Sequence, residues 1–519
     1  MSKVIAADQA GKLVRDGDVV IGDGITFGFP EELFIALEEH FLKTGHPRNL
    51  TVIAPGGAGN VRGRGFDHLA HEGLLRKYCT SYLTLTRKID ELICGNKIEG
   101  YMLPLGVFAQ LLREIAAGRP GLITHVGLKT FVDPRLEGGR LNSLSDSTGF
   151  IPEVIALSGK EWLFYKSFPV DVALLCGTTA DEDGNISFER QAGVVNATAM
   201  AMAAKKCGGR VIAQVERLAG RGALKPQAVK VPGILVDAVV LARPENHKQT
   251  FNVQYDPARS GELRAPEVAP APVPLNCGKI VARRAAMELK RGMVVNIGAG
   301  TPEFIPSVAW EEGIQRRITF AIEAGMIGGI PGYGLNFNTA TNPDAILDHP
   351  YMMDFFDGGG CDATFLGLAQ IDRRGNVNVS KLKNRVTGLG GFLNVAGTSK
   401  MRFHCGLFTA GEQDIGIENG RLQIVRDGEV CKFVNRVEQI SVSGSYALDV
   451  GQPVTVITER AVFSWTEQGL TLIEIAPGVD LERDIRARME FLPLVSPELK
   501  EMPAEIFLDG LMGLVRRLG

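Results

Sequence analysis

One glutamate follows an apolar run and precedes a cluster of glycines. Residues 318–322 (ITFAI) predict a buried strand, and Glu323 comes directly after it. The glycines beyond it are Gly325, Gly328, Gly329, Gly332 and Gly334. A partly desolvated carboxylate in open backbone, with N–H groups free to point at a bound group, suits a nucleophile that attacks a carbonyl carbon. A solvated glutamate that ends an ordinary strand is an equally good interpretation of the local sequence.

A second glycine cluster lies in residues 386–395, VTGLGGFLNV, and contains Gly388, Gly390 and Gly391. Backbone at this glycine density can present N–H groups to a phosphate, an amide or an oxyanion. A tight structural turn needs the same residues, and the local sequence favours the turn.

Two other groups of residues raise the question of a metal site. Asp354, Asp357 and Asp362 surround three glycines, but their spacing fits no calcium loop, so a structural turn is favoured. His68 and His71 lie three positions apart, with no third ligand nearby, so solvated histidines are favoured over a metal ligand or a base. We therefore predict no metal site.

Two common catalytic signatures are incomplete. The GDG at residues 22–24 and the GAG at residues 298–300 begin a dinucleotide fingerprint, but Glu303 stands where the second copy needs its last glycine. The G-x-S-x-G elbow of serine hydrolases is missing, because SVSGSYA at residues 441–447 lacks the first glycine. Nicotinamide-dependent and serine-based chemistry are both disfavoured.

The composition describes a soluble globular protein of more than one domain. The chain has 519 residues, 45% hydrophobic and 22% charged. Its 56 basic and 59 acidic residues give a net charge of -3 without a basic run, so nucleic acid is not an expected partner. The eight cysteines form no CxxC pair. With no signal-peptide pattern and no apolar stretch near ~20 residues, we expect a cytoplasmic protein that does not bind membranes.

The chain divides at a proline-rich segment into two similar halves. We predict an N-terminal domain at 1–243, a linker at 244–275 and a C-terminal domain at 276–519. RDGDVVIGDGITFGFPEEL near the start of the first half resembles KRGMVVNIGAGTPEFIPSV in the second. DVALLCGTTADEDGNISF at 171–188 aligns without gaps with DATFLGLAQIDRRGNVNV at 362–379. An internal duplication explains both matches.

Strand-like and helix-like segments alternate along both halves. Strands are predicted at 51–54, 170–176 and 210–214, and helices at 107–117 and 194–206. This alternation predicts two related α/β domains, each with an open, mainly parallel sheet between helical layers. Active sites of such sheets lie at the carboxyl ends of the strands, where the glycine loops are expected.

The motifs together resemble the family I coenzyme A transferases, and more closely the fused single-chain type that includes acetate and propionate CoA-transferases. The resemblance covers nearly the whole chain. It is carried by EAGMIGGIPG from Glu323 onward, NPDAILDHPYMMDFFDGGG (342–360), LGLAQIDRRGNVNVSKL (366–382), GLGGFLNV (388–395), TERAVFSWTEQGLTLIEIAPGVDLERDI (458–485), FVDPRLEGGRLN (131–142) and GTTADEDGNISFE (177–189).

The resemblance implies roles for particular residues. Glu323 matches the family's covalent glutamate, in the C-terminal domain. Gly388, Gly390 and Gly391 look like the loop that contacts the thioester arm of CoA. Tyr333 and the stretch 336–342 (NFNTATN) are bulkier and more polar than the small-residue loop expected there. This departure puts the acyl-chain selectivity in doubt, but not the type of reaction.

The resemblance also implies the activity. CoA would pass from a short-chain acyl-CoA to a free carboxylic acid by ping-pong exchange, through an acyl-glutamyl anhydride and a glutamyl-CoA thioester. CoA and acyl-CoA would be substrates, no prosthetic group would be needed, and the chain would form a homo-oligomer, a dimer or a tetramer. An acyl-CoA hydrolase that uses the same glutamate, or a non-catalytic CoA-binding regulator, are the alternatives.

Overall fold

The computed structural model describes residues 3–146, 149–270, 272–383 and 385–518. The chain forms two compact units. The first consists of Met1–Ala265, Ile322–Asp354 and Asn384–Asn394, and the second of Pro266–Ala321, Phe355–Lys383 and Val395–Gly519.

This division differs from the one predicted from the sequence. Residues 244–265, predicted as linker, belong to the first unit, because side chains such as Thr250 and Phe251 are buried there. The segments that carry Glu323 and Gly388–Gly391 also belong to the first unit, although the sequence places them in a C-terminal domain. Ala271, within the predicted linker, lies outside the described residues, as do residues 1, 2 and 519 at the ends of the predicted domains.

The strands of the two large sheets and of one hairpin are, in chain order, Val4–Ile5 (β1), Val19–Gly22 (β2), Leu50–Ala54 (β3), Leu75–Thr80 (β4), Glu99–Met102 (β5), Val172–Asp181 (β6), Arg210–Ala219 (β7), Ala238–Leu241 (β8), Val294–Ile297 (β9), Thr319–Phe320 (β10), Met326–Ile327 (β11), Ile330–Pro331 (β12), Ala340–Thr341 (β13), Ala345–Ile346 (β14), Ala363–Leu366 (β15), Met401–Cys405 (β16), Val454–Ile457 (β17), Ala461–Thr466 (β18), Gly469–Ile475 (β19) and Leu494–Glu501 (β20).

The remaining strands, of which Ile186–Ser187 and Val229–Val231 also join the first large sheet, are Gly121–Thr124, Glu153–Leu157, Lys160–Lys166, Ile186–Ser187, Val229–Val231, Gln370–Asp372, Val377–Asn378, Lys381–Leu382, Arg385–Val386, Thr409–Ala410, Asp414–Glu418, Arg421–Arg426, Val430–Cys431 and Phe433–Val434. The helices are Ala7–Gly11 (α1), Glu31–Thr44 (α2), Arg87–Cys94 (α3), Leu105–Ala116 (α4), Ala197–Lys206 (α5), Pro257–Ser260 (α6), Cys277–Ala286 (α7), Ile305–Glu311 (α8), His349–Asp357 (α9), Phe392–Thr398 (α10), Gly444–Asp449 (α11) and Leu514–Arg517 (α12).

The first unit is built on a ten-stranded, mainly parallel sheet, in which the strands β1-β8-β7-β6-β2-β3-β4-β5 lie in this order and pair in parallel. Two short strands, Ile186–Ser187 and Val229–Val231, add antiparallel pairings beside β6. Every residue of the central strand β6 is buried, as expected for a parallel strand with both faces covered. Helix α2 follows β2 and ends at Gly45, whose φ of 74° lies in the left-handed region that favours glycine at a helix end.

The second unit is built on a sheet with the order β10-β9-β15-β16-β17-β18-β19-β20. The pairings from β10 to β17 are parallel, and the next two are antiparallel. Helices α7 and α8 bury Ile280, Val281, Ile305 and Val308 in the same apolar core as Phe365 of β15. The large, mainly parallel sheets confirm the predicted α/β fold.

The repeat seen in the sequence corresponds to a shared topology and shared hydrogen bonds. The order β3-β2-β6-β7-β8 in the first sheet matches β10-β9-β15-β16-β17 in the second. In the first copy, Asp181 accepts hydrogen bonds from the backbone and side-chain N–H groups of Asn185. Asp372 makes the same two bonds with Asn376 in the second copy. The D-x-x-G-N signature is therefore a turn motif, as a duplication predicts.

A buried ion-pair network accounts for part of the motif at residues 458–485. The Arg460 side chain is fully buried, forms two hydrogen bonds of 2.7 and 2.9 Å with Asp427, and bonds Glu459 at 2.7 Å. The same guanidinium lies 5.0 Å from the Phe408 ring centroid. Each charge of this network is paired, as the high cost of an unpaired buried charge requires.

His68 and His71 also belong to an ion-pair network. Glu38 contacts His68 Nδ1 and His71 Nε2, and His68 Nε2 lies 3.0 Å from the buried Glu31. Burial opposes the charging of His68, but the hydrogen bonds to the two carboxylates outweigh burial and raise the pKa of His68 to about 9. Across the described residues, no set of three or more His, Cys, Asp or Glu side chains is arranged to hold a metal ion.

We predict that His68 makes folding stability depend on pH. Because the pKa of folded His68 lies near 9, above its ordinary value of 6.5, its contribution is complete below pH 6.5 and is lost as the pH rises through 9. The measurement is the urea midpoint of wild type and His68→Gln from pH 6.5 to 9. The difference between the two should shrink with rising pH, whereas His46→Gln, which removes an exposed pair with Asp16, should show little difference throughout. A difference in urea midpoint between wild type and His68→Gln that stays constant with pH contradicts this account.

Candidate active site

Glu323 lies in a tight turn at the base of the hairpin formed by β11 to β14. The Ile322 N–H donates to the Met326 carbonyl and the Gly325 N–H to the Ile322 carbonyl, both at 2.9 Å. Leu347 closes the far side by donating to the Gly325 carbonyl at 2.9 Å. The strand predicted at 318–322 is shorter in the structure, where it covers Thr319–Phe320, so Glu323 belongs to this turn and not to a strand end.

The Glu323 carboxylate is buried, with 8% of the residue exposed. Burial raises the pKa of Glu323 to about 7, and a hydrogen bond from the Gly391 backbone N–H opposes the shift. The alternative of a solvated glutamate is therefore wrong. A carboxyl group with this pKa is partly ionised at neutral pH, and its ionised form is poorly hydrated, which suits a nucleophile.

Gly391 must be a glycine because the carboxylate lies against its backbone. A Cβ atom built at Gly391 would lie 2.0 Å from Glu323 Oε2 and 2.4 Å from its Cδ, much closer than real contacts allow. Because Gly391 has no side chain, its backbone N–H can reach the Glu323 carboxylate directly. The two segments that the sequence identifies separately are thus in contact in the structure.

The glycine loop is held as an added strand beside the segment that follows β4. The N–H groups of Leu389 and Gly390 both donate to the Ser81 carbonyl at 2.8 Å, and the Leu83 N–H donates to the Thr387 carbonyl at 3.0 Å. The N–H of Gly390 is therefore used within the protein, as in a structural turn.

Gly388 lies opposite Tyr82 in this pairing. Its φ is 101°, and a Cβ there would lie 2.7 Å from the Tyr82 Cα. Gly388 thus lets the loop approach the backbone of Tyr82, and Gly391 lets it approach the Glu323 carboxylate.

The other end of the loop is fixed by the first turn of α4. The Leu105 N–H donates to the Gly390 carbonyl at 3.1 Å, and the Gly106 N–H donates to Asn394 Oδ1 at 3.0 Å. These partners satisfy two N–H groups that a helix start leaves open. No pattern in the sequence indicates the roles of Ser81 and Leu105, although Asn394 lies inside the GLGGFLNV motif.

Apolar side chains pack around the Glu323 turn. Its neighbours Ile322 and Ala324 belong to one buried cluster with Ile25 and Phe27 from the loop after β2, and with Val195 before α5. This cluster gives the base of the hairpin an apolar surrounding.

The aspartates considered for a metal site have separate partners. Asp354 accepts hydrogen bonds from Arg113 at 2.7 Å and Gln110 at 3.2 Å. Asp362 accepts from the Val294 N–H at 2.8 Å and from a lysine, and so joins two strands of the second sheet. Asp354 and Asp362 therefore have structural partners of their own.

Comparison with known proteins identifies the family. The coenzyme A transferase family model matches residues 4–242. The caffeate CoA-transferase of Acetobacterium woodii is 45% identical over 527 residues, which cover 100% of this chain and 100% of that relative. The chain belongs to the coenzyme A transferase family. It is thus an enzyme that transfers CoA between an acyl-CoA and a carboxylic acid, with CoA and acyl-CoA as substrates.

Further relatives support the same assignment for this CoA-transferase. The acetate CoA-transferase YdiF of Escherichia coli K12 is 39% identical over 514 residues, covering 99% of this chain and 96% of that relative. The crystal structure of the YdiF apoenzyme from Escherichia coli O157:H7 matches with a TM-score of 0.93 at 38% identity, over 99% of this chain and 97% of that one. Its thioester complex with CoA matches with a TM-score of 0.92.

In the part of the chain that the structure describes, no helix is both long enough and apolar enough to cross a bilayer.

We predict that Gly391→Ala abolishes most CoA transfer without unfolding the protein. The new methyl group would displace the Glu323 carboxylate, and misplacing a reacting group by about 1 Å costs on the order of 10²-fold in rate. The measurement is kcat for CoA transfer beside the thermal midpoint. Gly397→Ala is the matched control, because a Cβ there meets nothing closer than 4.0 Å. Equal activity in the two variants contradicts the assigned contact.

Proposed function

We propose that this CoA-transferase works by ping-pong exchange and that Glu323 is its covalent residue. The observation that carries the proposal is the burial of Glu323 against the Gly391 N–H, which leaves a poorly hydrated carboxylate with a pKa of about 7. The proposed donor is a short-chain acyl-CoA and the proposed acceptor a free carboxylic acid.

In the first step, a Glu323 oxygen attacks the thioester carbonyl carbon. The new C–O bond forms as the C–S bond breaks, and CoA leaves as the thiolate with the bonding electron pair. The product is a mixed anhydride between the acyl group and the Glu323 carboxyl group. No proton is consumed, because one anion replaces another.

In the second step, the thiolate attacks the Glu323 carbonyl carbon of the anhydride. A C–S bond to Glu323 forms, the C–O bond to the acyl oxygen breaks, and the donor acid leaves as its carboxylate. The enzyme then holds CoA as a glutamyl thioester. A second carboxylic acid reverses both steps and leaves as the new acyl-CoA.

The Gly391 N–H has a specific task in this sequence. Attack on the Glu323 carbonyl places negative charge on a carboxyl oxygen, and the Gly391 N–H already bonds this group. A fixed donor at a developing oxyanion is worth on the order of 10²–10³ in rate. We therefore assign Gly391 to the oxyanion, and Gly388 and Gly390 to the placement of the loop.

The relatives guide the choice of substrates. One relative is named an acetate CoA-transferase and another a caffeate CoA-transferase, and the thioester complex of YdiF with CoA supports a thioester-bound state here. Acetyl-CoA, propionyl-CoA and caffeoyl-CoA are therefore the donors to test. The cytoplasmic location, the homo-oligomer, and the lack of nucleic-acid partners stay predictions.

We predict that Glu323→Gln retains its fold and loses CoA transfer entirely, because an amide cannot act as the carboxylate nucleophile. Intact-mass spectrometry after mixing with each donor should show CoA attached to wild type and not to Glu323→Gln. Glu467→Gln, a change of the same kind at an exposed turn, should be labelled like wild type. Turnover of Glu323→Gln near the wild-type rate contradicts the assignment of Glu323 as the covalent residue.

We further predict a pH dependence with a definite sign. Only ionised Glu323 attacks, so kcat/KM for the acyl-CoA should rise with pH and level off above its pKa of about 7. The rate constant for single-turnover attachment of CoA, which measures the chemical steps alone, should rise over the same pH range. A profile that is flat between pH 5 and 8, or that falls in this range, contradicts the raised pKa.

A further inference from the structure

The segment 249–265, predicted as part of a linker, runs along the hairpin that carries Glu323. We name residues 249–265 the brace, and residues 322–347 the Glu323 hairpin. In this hairpin β11 pairs with β14 and β12 pairs with β13, and the Glu323 turn closes its base. Both segments belong to the first unit.

Asn342 joins the hairpin to the brace through three hydrogen bonds. Its backbone N–H donates to the Ala258 carbonyl, its Nδ2 donates to the Ala265 carbonyl, and its Oδ1 accepts from the Ala265 N–H, all at 2.9 Å. The side-chain amide thus pairs with Ala265 as a neighbouring strand would. Asn342 is 7% exposed and has a φ of 56°, in the left-handed region that asparagine tolerates better than most residues.

Two buried threonines connect the brace to the hairpin farther along. Thr250 Oγ1 donates to Asn336 Oδ1 at 2.7 Å, and Arg259 Nη1 donates to Thr339 Oγ1 at 2.6 Å. Both Thr250 and Thr339 are fully buried. Because buried polar groups are costly to leave unpaired, these contacts hold the brace and the hairpin in one register.

The brace is itself fixed to the body of the first unit. The Phe251 ring stacks on Phe29, with ring centroids 4.0 Å apart and planes 5° apart. The Arg190 guanidinium lies 3.5 Å from the Tyr255 ring centroid, and Gln249 Nε2 donates to the Arg190 carbonyl at 2.9 Å. The hairpin is thereby tied through the brace to the loops that follow the sheet.

We propose that Asn342 is a positioning residue that holds the Glu323 turn in its reactive place by coupling the hairpin to the brace. The proposal rests on the proposed role of Glu323. Asn342 touches no reacting atom. It acts through the backbone from β13 to the Leu347 N–H, which bonds Gly325 beside the acid.

The test compares Asn342→Gly with the matched control Asn419→Gly. Asn419 also has a positive φ, 51°, but lies exposed in the second unit, so both variants lose an asparagine side chain where glycine keeps the backbone conformation. Asn342→Asp keeps the acceptor for the Ala265 N–H and loses the donor to its carbonyl. Thr339→Val, which removes the partner of Arg259 at constant shape, covers the case in which Asn342→Gly fails to fold.

Single-turnover attachment of CoA from acetyl-CoA, propionyl-CoA or caffeoyl-CoA is the kinetic readout. We expect Asn342→Gly to lower the attachment rate constant by about 10- to 100-fold. The final extent of labelling and the KM for the acyl-CoA should stay near wild type, with Asn342→Asp intermediate. Thr339→Val should also lower the attachment rate constant, and Asn419→Gly should have the rate constant of wild type. A wild-type rate constant in Asn342→Gly overturns the proposal. If Asn342→Gly instead unfolds, with loss of labelling and a much lower thermal midpoint, a wild-type rate constant in Thr339→Val overturns it.

Amide hydrogen exchange provides a readout that does not depend on the chemistry. Exchange in peptides covering residues 322–347 should accelerate in Asn342→Gly and not in Asn419→Gly. If wild type takes up no CoA, the proposed function fails, and the exchange comparison still decides whether Asn342 holds the hairpin. Unchanged exchange in Asn342→Gly overturns the positioning role.

Discussion

The hydrogen bond between the Gly391 backbone N–H and the buried Glu323 carboxylate is the contact on which the site depends. An ionised acid that is 8% exposed is costly to bury, and among the described residues this one has a backbone donor and no basic partner. A salt bridge would lower the pKa and bind the lone pairs that attack the thioester. The Gly391 N–H holds the acid in place and, in the proposed mechanism, leaves it free to attack, and only glycine at 391 allows the approach.

The site is assembled from sequence-distant segments on the carboxyl ends of one sheet. The glycine loop joins the first unit through Ser81 and Leu105, which follow β4 and β5, and the Glu323 hairpin joins it through the brace. Both segments come from the second half of the sequence, where they are inserted between elements of the second unit. The carboxyl edge of the first sheet is where open parallel α/β sheets bind ligands.

The sequence predicts the fold class and both halves of the site, but not their contact. The strand predicted at 210–214 and the helix at 107–117 correspond to Arg210–Ala219 and Leu105–Ala116, because apolar periodicity reports burial within one element. The burial of Glu323 depends on Gly391, 68 positions later, which no local pattern reveals. The proline-rich composition of 244–275 predicts a linker. In the structure, however, Phe251 stacks on Phe29 and Ala265 bonds the side chain of Asn342, so residues 249–265 pack as the brace. Composition reports chain stiffness and not tertiary partners.

The transfer of one oxygen atom tests the central claim most directly. In the proposed sequence the acceptor carboxylate attacks the glutamyl thioester, and its attacking oxygen becomes the bridge of the anhydride. When CoA thiolate then takes the acyl group, that oxygen stays on the enzyme. Turnover with an acceptor acid labelled with heavy oxygen, followed by peptide mass spectrometry, should therefore find one labelled oxygen in the Glu323 side chain after a single turnover and up to two after many. A Glu323 peptide of unchanged mass after turnover, with all the label in the acid and the new acyl-CoA, contradicts the account.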